Sequence, residues 1–162
     1  MASGGTSGGA PAAPRGPVLF AYDGSELAGL AIEQAGRELA SGRDAVVVCV
    51  WQPADVGFVP VGGRRLDAAN AVEVREAAQE TAAHGASLAA KAGFRSEGVA
   101  LEAAPTWKGL VRVAEERRAS LIVLGSHQRK GLVGHVLGSV TAAVMGHSAC
   151  SVLVVYRGTE SA

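Results

Sequence analysis

Apolar residues along this chain gather in five short runs, and between them they recur at three- and four-residue intervals. The runs are "PVLFAYD" (17–23), "AVVVCVW" (45–51), "EGVALEA" (97–103), "SLIVLG" (120–125) and "SVLVVY" (151–156). Runs of this length bounded by turn residues predict strands, and a continuously apolar one such as 45–51 predicts a strand covered on both faces. In "ELAGLAIEQAGRELA" (26–40), Ala28, Ile32, Ala35 and Leu39 fall on one helical face, with Ser25 as the expected N-cap. A long alanine-rich helix is predicted over 69–92, with Val74, Ala78, Thr81, Gly85, Leu88 and Ala92 as its buried stripe. Glycine in a helix interior costs about 1 kcal/mol against alanine, so close packing is expected at Gly85. Thr106 is expected to cap a helix running to about Arg118, and "SVTAAVMGH" (139–147) predicts a short helix capped by Ser139. Residues 52–68, with proline, glycine and two arginines, predict a loop.

Strands alternating with helices imply a parallel sheet with helices on both faces, and five such strands make a doubly wound α/β domain. Residues 1–16, almost entirely Gly, Ala, Ser and Pro, are expected to be a disordered tail, 17–157 the domain, and 158–162 a short second tail. No internal repeat is visible.

Composition narrows the function. Lys plus Arg and Asp plus Glu are 15 each, and aromatic residues only 4%, which argues against nucleic-acid binding. Cys49 and Cys150 have no metal-ligand or redox spacing; they suit buried small hydrophobes in a reducing cytoplasm. His84, His135 and His147 also lack ligand spacing, so no metal site is expected. There is no apolar run of about 18 residues and no charged-then-apolar start, so neither a membrane span nor a signal peptide is expected.

In an open parallel sheet, ligands bind beyond the carboxyl ends of the strands where the winding reverses. The first and fourth runs are the natural central pair, and they end at Asp23 and Gly125. "GSHQRKGLVGHVLGS" (125–139) leaves the sheet at that point and ends in Gly138-Ser139, the start of the next helix. A helix start offers free backbone N–H groups and about half a positive charge, which suits a phosphate. Enzyme patterns are missing: there is no GxxxxGK[ST], no GxGxxG after the first strand, no GxSxG, and no base placed to activate water. A binding protein is therefore expected rather than an enzyme.

These residues resemble the universal stress protein family. The likeness spans about 17–157 and rests on "VLFAYDGSELAGLA", "SLIVLGSH" and "LGSVTAAVMGHSACSVLVV". The resemblance implies a Rossmann-like, adenine-nucleotide alpha hydrolase-like fold of strand order 3-2-1-4-5, commonly dimeric, and ATP binding in one branch. That branch carries Gly, two residues, Gly, nine residues, then Gly and Ser or Thr. Gly125 and Gly138-Ser139 match with the spacing intact, while Gln128 stands at the middle glycine. A left-handed backbone there would cost glutamine about 1–2 kcal/mol. Ser151 stands where the family often has proline, which bears on packing rather than on the ligand.

The implied nucleotide set is Ala21, Tyr22, Asp23 and Val50 on the adenosine side. On the phosphate side it is Gly125, Ser126, His127, Gln128, Arg129, Gly138, Ser139 and Val140. Alternatives stay open residue by residue. Asp23 serves either the adenosine or the turn through Gly24; Val50 serves adenine through its backbone or only the core. Ser139 serves as both cap and phosphate donor. His127, Arg129 and Lys130 either meet phosphate or are merely solvated. Whether Mg²⁺ accompanies ATP is also open. The expected function is a cytoplasmic stress-response module that binds an adenine nucleotide, homodimeric through the apolar residues Val152, Val154 and Val155 of the last strand. A dimeric interaction protein without nucleotide is the alternative, and a slow ATP hydrolase a third.

Overall fold

The computed structural model describes residues 16–52, 71–127, 129–130 and 135–157, with 129–130 and 135–136 through their backbone only. The chain begins with strand β1 (Val18–Ala21), helix α1 (Glu26–Glu38) and strand β2 (Asp44–Trp51). Helix α2 (Ala71–Lys91), strand β3 (Arg95–Glu102), helix α3 (Thr106–Glu116) and strand β4 (Leu121–Ser126) follow. Two short strands, β5 (Arg129–Lys130) and β6 (His135–Val136), then precede helix α4 (Ser139–His147) and strand β7 (Ser151–Tyr156).

The five long strands form one parallel sheet in the order β3-β2-β1-β4-β7, the expected 3-2-1-4-5 arrangement. Val18 pairs with Ala45 on one side and Leu121 on the other, so β1 and β4 are central and β7 is an edge. The β5–β6 antiparallel pair was not anticipated; two-residue strands are too short to carry a readable alternation.

Alternation along β1 sorts the core into two layers. Val18, Phe20 and Tyr22 pack with Ala28, Ile32 and Ala35 of α1 and Ala89 of α2. Leu19 packs on the other face with Leu110 and Val113 of α3 and Val144 of α4, and Ala21 joins that cluster from its margin. Phe20 and Phe94 meet edge-to-face with ring centroids 5.2 Å apart. The expected close packing at Gly85 is present: a Cβ there would lie 2.6 Å from Tyr22 Cδ1 and 2.7 Å from Val47 Cγ1. The buried stripe of α2 is wider than expected, adding Ala77, Ala82 and Ala89, while Leu88 and Ala92 are only half-buried.

Several ends differ from expectation. Pro105, extended at φ −71°, ψ 161°, is the N-cap of α3, which makes Thr106 the first helical residue rather than the cap. The helix closes at Glu116, with Arg117 as C-cap. Leu39 is the C-cap of α1 and still packs on the core. Gly16, assigned to the tail, belongs to the fold: its carbonyl accepts from the Ser120 hydroxyl at 2.9 Å. Residues 1–15 and 158–162, with nearly all of the predicted loop, lie outside the described residues.

Candidate functional site

The carboxyl end of β4 and the start of α4 together line a cavity of about 480 Å³, through Gly125–His127 and Leu137–Thr141. That volume falls within the range of small-molecule sites. The two motif glycines that lie within the described residues are glycines for different reasons. A Cβ on Gly125 would come within 2.8 Å of Leu27 Cγ and 2.9 Å of the Leu27 carbonyl oxygen, so packing of β4 against the first turn of α1 excludes any side chain. Gly138 is under no such constraint. Its backbone, at φ −58° and ψ 147°, suits any residue. A Cβ there would make only ordinary contacts, 3.8 Å from Ser126 Oγ and 4.0 Å from Thr141 Oγ1. Any side chain at 138 would therefore start within van der Waals reach of two hydroxyls at a helix start.

Ser126 is the chemical centre of this arrangement. It is 3% exposed, and its hydroxyl has no hydrogen-bond partner among the described residues. A buried hydroxyl without a partner costs about 1–3 kcal/mol, so one that faces a cavity is equipped to meet a polar group brought in from outside. Gly138, not Ser139, caps α4 and has no side chain to offer its first-turn N–H groups; Ser139 is exposed as the first helical residue. The cap expected of Ser139 is thereby corrected: the extended residue before the helix is the glycine.

The residues expected on the adenosine side divide between the two faces of the sheet. Ala21 and Val50 are half-buried on the face that carries α3 and α4, together with Val140. Tyr22 points the other way. Its ring is buried under Gly85 and its hydroxyl lies 2.7 Å from His84 Nδ1, so it can offer the site only its backbone. Burial pushes the Tyr22 phenol above its usual pKa, and the charge of Asp23 adds to the effect. Burial likewise pushes the Cys49 thiol up to about 12, with a further contribution from Asp23. Asp23 itself is exposed, and one carboxylate oxygen accepts from the Ser25 N–H at 2.9 Å, across Gly24 at φ 84°. That oxygen performs the turn role. His127 is exposed; Gln128 and the side chain of Arg129 lie outside the described residues.

Two lining residues were not anticipated, Leu137 and Thr141. The signal for Thr141 was present: it lies three residues after the cap, where a helical side chain turns back towards the helix start.

A sequence profile of the Universal stress protein family matches residues 14–156. The chain belongs to the universal stress protein family. No curated protein matches it in sequence. Among solved structures, a universal stress protein from Archaeoglobus fulgidus is 25% identical with a TM-score of 0.62, over 85% of this chain and 96% of its own. A universal stress protein in complex with cAMP is 23% identical with a TM-score of 0.66, over 90% of this chain and 100% of its own. An Archaeoglobus fulgidus universal stress protein in complex with dAMP is 23% identical with a TM-score of 0.61, over 88% and 98%. Among the described residues, no helix of this universal stress protein is long and apolar enough to cross a membrane. Nor could any group of three or more His, Cys, Asp or Glu among them hold a metal ion.

Proposed function

We propose that this universal stress protein binds an adenine nucleotide, with phosphate at the start of α4 and adenosine towards the carboxyl ends of β1 and β2. The observation that carries this reading is the buried Ser126 hydroxyl, without a partner among the described residues, which lines the same cavity as Gly138 and lies next to it. Backbone N–H groups and the helix dipole favour an anion there, and the hydroxyl gains on binding the partner it lacks. The cAMP and dAMP complexes of structurally similar proteins support the same ligand class. Ala21, Val50, the backbone of Tyr22 and the second carboxylate oxygen of Asp23 are the groups offered to adenosine. ATP, with or without Mg²⁺, is the nucleotide implied by the glycine motif, and Gln128 at its middle position weakens that binding. The protein acts as a binding module of the cytoplasm, responding through its partners rather than by catalysis; its two unpaired thiols suit a reducing compartment.

The test is titration calorimetry of ATP, AMP and cAMP against the wild type and Gly138→Ser. Serine is a good N-cap and fits the backbone at 138, so the variant should fold with unchanged or slightly higher stability. Its side chain enters the space between the two hydroxyls, so nucleotide affinity should fall at least tenfold. Equal affinity in both proteins would refute the phosphate position, and no binding by the wild type would refute the nucleotide.

Assembly through β7 is favoured by a separate observation. This edge strand carries Val155 buried and Val152 and Val154 half-buried, with one side of its backbone unpaired in the sheet. A twofold dimer covers such an edge, and a monomer in sedimentation at micromolar concentration would refute it.

A further inference from the structure

We propose that Thr141 is a ligand-contacting residue of this site, the second hydroxyl donor to a single phosphate group; the inference rests on the nucleotide reading above. Thr141 is the third residue of α4 and is 5% exposed, while Ser126, at the end of β4, is 3% exposed. The two come from different elements, yet both line the cavity and both hydroxyls flank the same point. They lie 4.0 and 3.8 Å from where a Cβ on Gly138 would sit. Ser126 Oγ has no partner among the described residues, so at least one of the two hydroxyls is without an acceptor there. A phosphate group presents several non-bridging oxygens, and two hydroxyls from different elements can each serve a different one. The first-turn N–H groups of α4 can serve its remaining oxygens. The ligand class is therefore a nucleoside phosphate gripped at one phosphate group, with neutral hydroxyls and backbone amides as its donors.

The position of Thr141 in a first helical turn also permits a purely structural role, and the experiment separates the two. Thr141→Val removes the hydroxyl at nearly constant shape, and Thr141→Ser keeps it while losing the methyl. AMP and adenosine are titrated calorimetrically into the wild type and both variants. A hydrogen bond to a charged group predicts AMP binding weaker by roughly tenfold or more in Thr141→Val, and within about twofold of wild type in Thr141→Ser. Adenosine, without phosphate, should bind all three alike. Unchanged AMP affinity in Thr141→Val overturns the proposal. So does a parallel loss of AMP and adenosine, or a serine variant as weak as the valine one. If the wild type binds neither compound, the nucleotide reading itself falls, an outcome distinct from these.

Discussion

Replacing Ser126 by alanine should strengthen the fold and weaken the ligand at once. The hydroxyl is buried without a partner among the described residues, a condition that costs about 1–3 kcal/mol in the free protein. Alanine removes that cost. It leaves a gap of one oxygen, on the order of 10–15 Å³, and at about 24 cal/mol per Å³ the gap costs roughly 0.3 kcal/mol. The net expectation is a gain of about 1–2 kcal/mol, read as a rise of a few degrees in the thermal midpoint or a higher urea midpoint at constant slope. With nucleotide the sign reverses. One hydrogen bond to a charged phosphate is lost, worth about 1.5–3 kcal/mol, which corresponds to a Kd raised roughly 10- to 100-fold. Denaturation with and without AMP, together with calorimetry, measures both quantities on the same two proteins. An alanine variant that is less stable and binds equally well would refute the reasoning, because the hydroxyl would then serve the fold and not the ligand.

Gly85→Ala should destabilise despite alanine's better helix propensity. Overpacking against Tyr22 and Val47 costs about 1–3 kcal/mol against a propensity gain of about 1, and a higher urea midpoint would contradict this close packing. Cys49 should make stability fall in alkali. Its thiol titrates near 9 when exposed and near 12 when folded, so its contribution is complete below pH 9 and is lost as pH rises towards 12. The loss amounts to roughly 1 kcal/mol per pH unit, and Cys49→Ala should flatten the curve over that interval. Gln128→Gly, which restores the middle glycine of the motif, should tighten ATP roughly tenfold by calorimetry; unchanged affinity would mean that position 128 does not weaken the site.

The period of the apolar residues was enough to establish the number of long strands, their alternation with helices and hence the sheet. A continuous run such as 45–51 is compatible with little else once strongly helical stretches flank it. The block ending in Gly138-Ser139 located the helix start to within one residue, because helix starts and strand ends are local features written in adjacent residues. Boundaries were less legible. Cap identity at Pro105 and Gly138 turned on which single residue is extended, and a threonine or serine next to that residue reads equally well as the cap. Tertiary packing decided the rest. Ala21 and Tyr22 are neighbours in sequence, but the strand's alternation sends one to the α3–α4 face and the other under Gly85. Gly125 and Gly138 look alike in the motif, yet Leu27 requires the first while the fold itself would accept a side chain at the second. That Ser126 is buried without a partner among the described residues, and that the Thr141 hydroxyl lies near the same point, depends on bringing β4 and α4 together in space. No spacing along the chain contains that information, because a hydrogen bond left unmade is a property of everything that surrounds the atom.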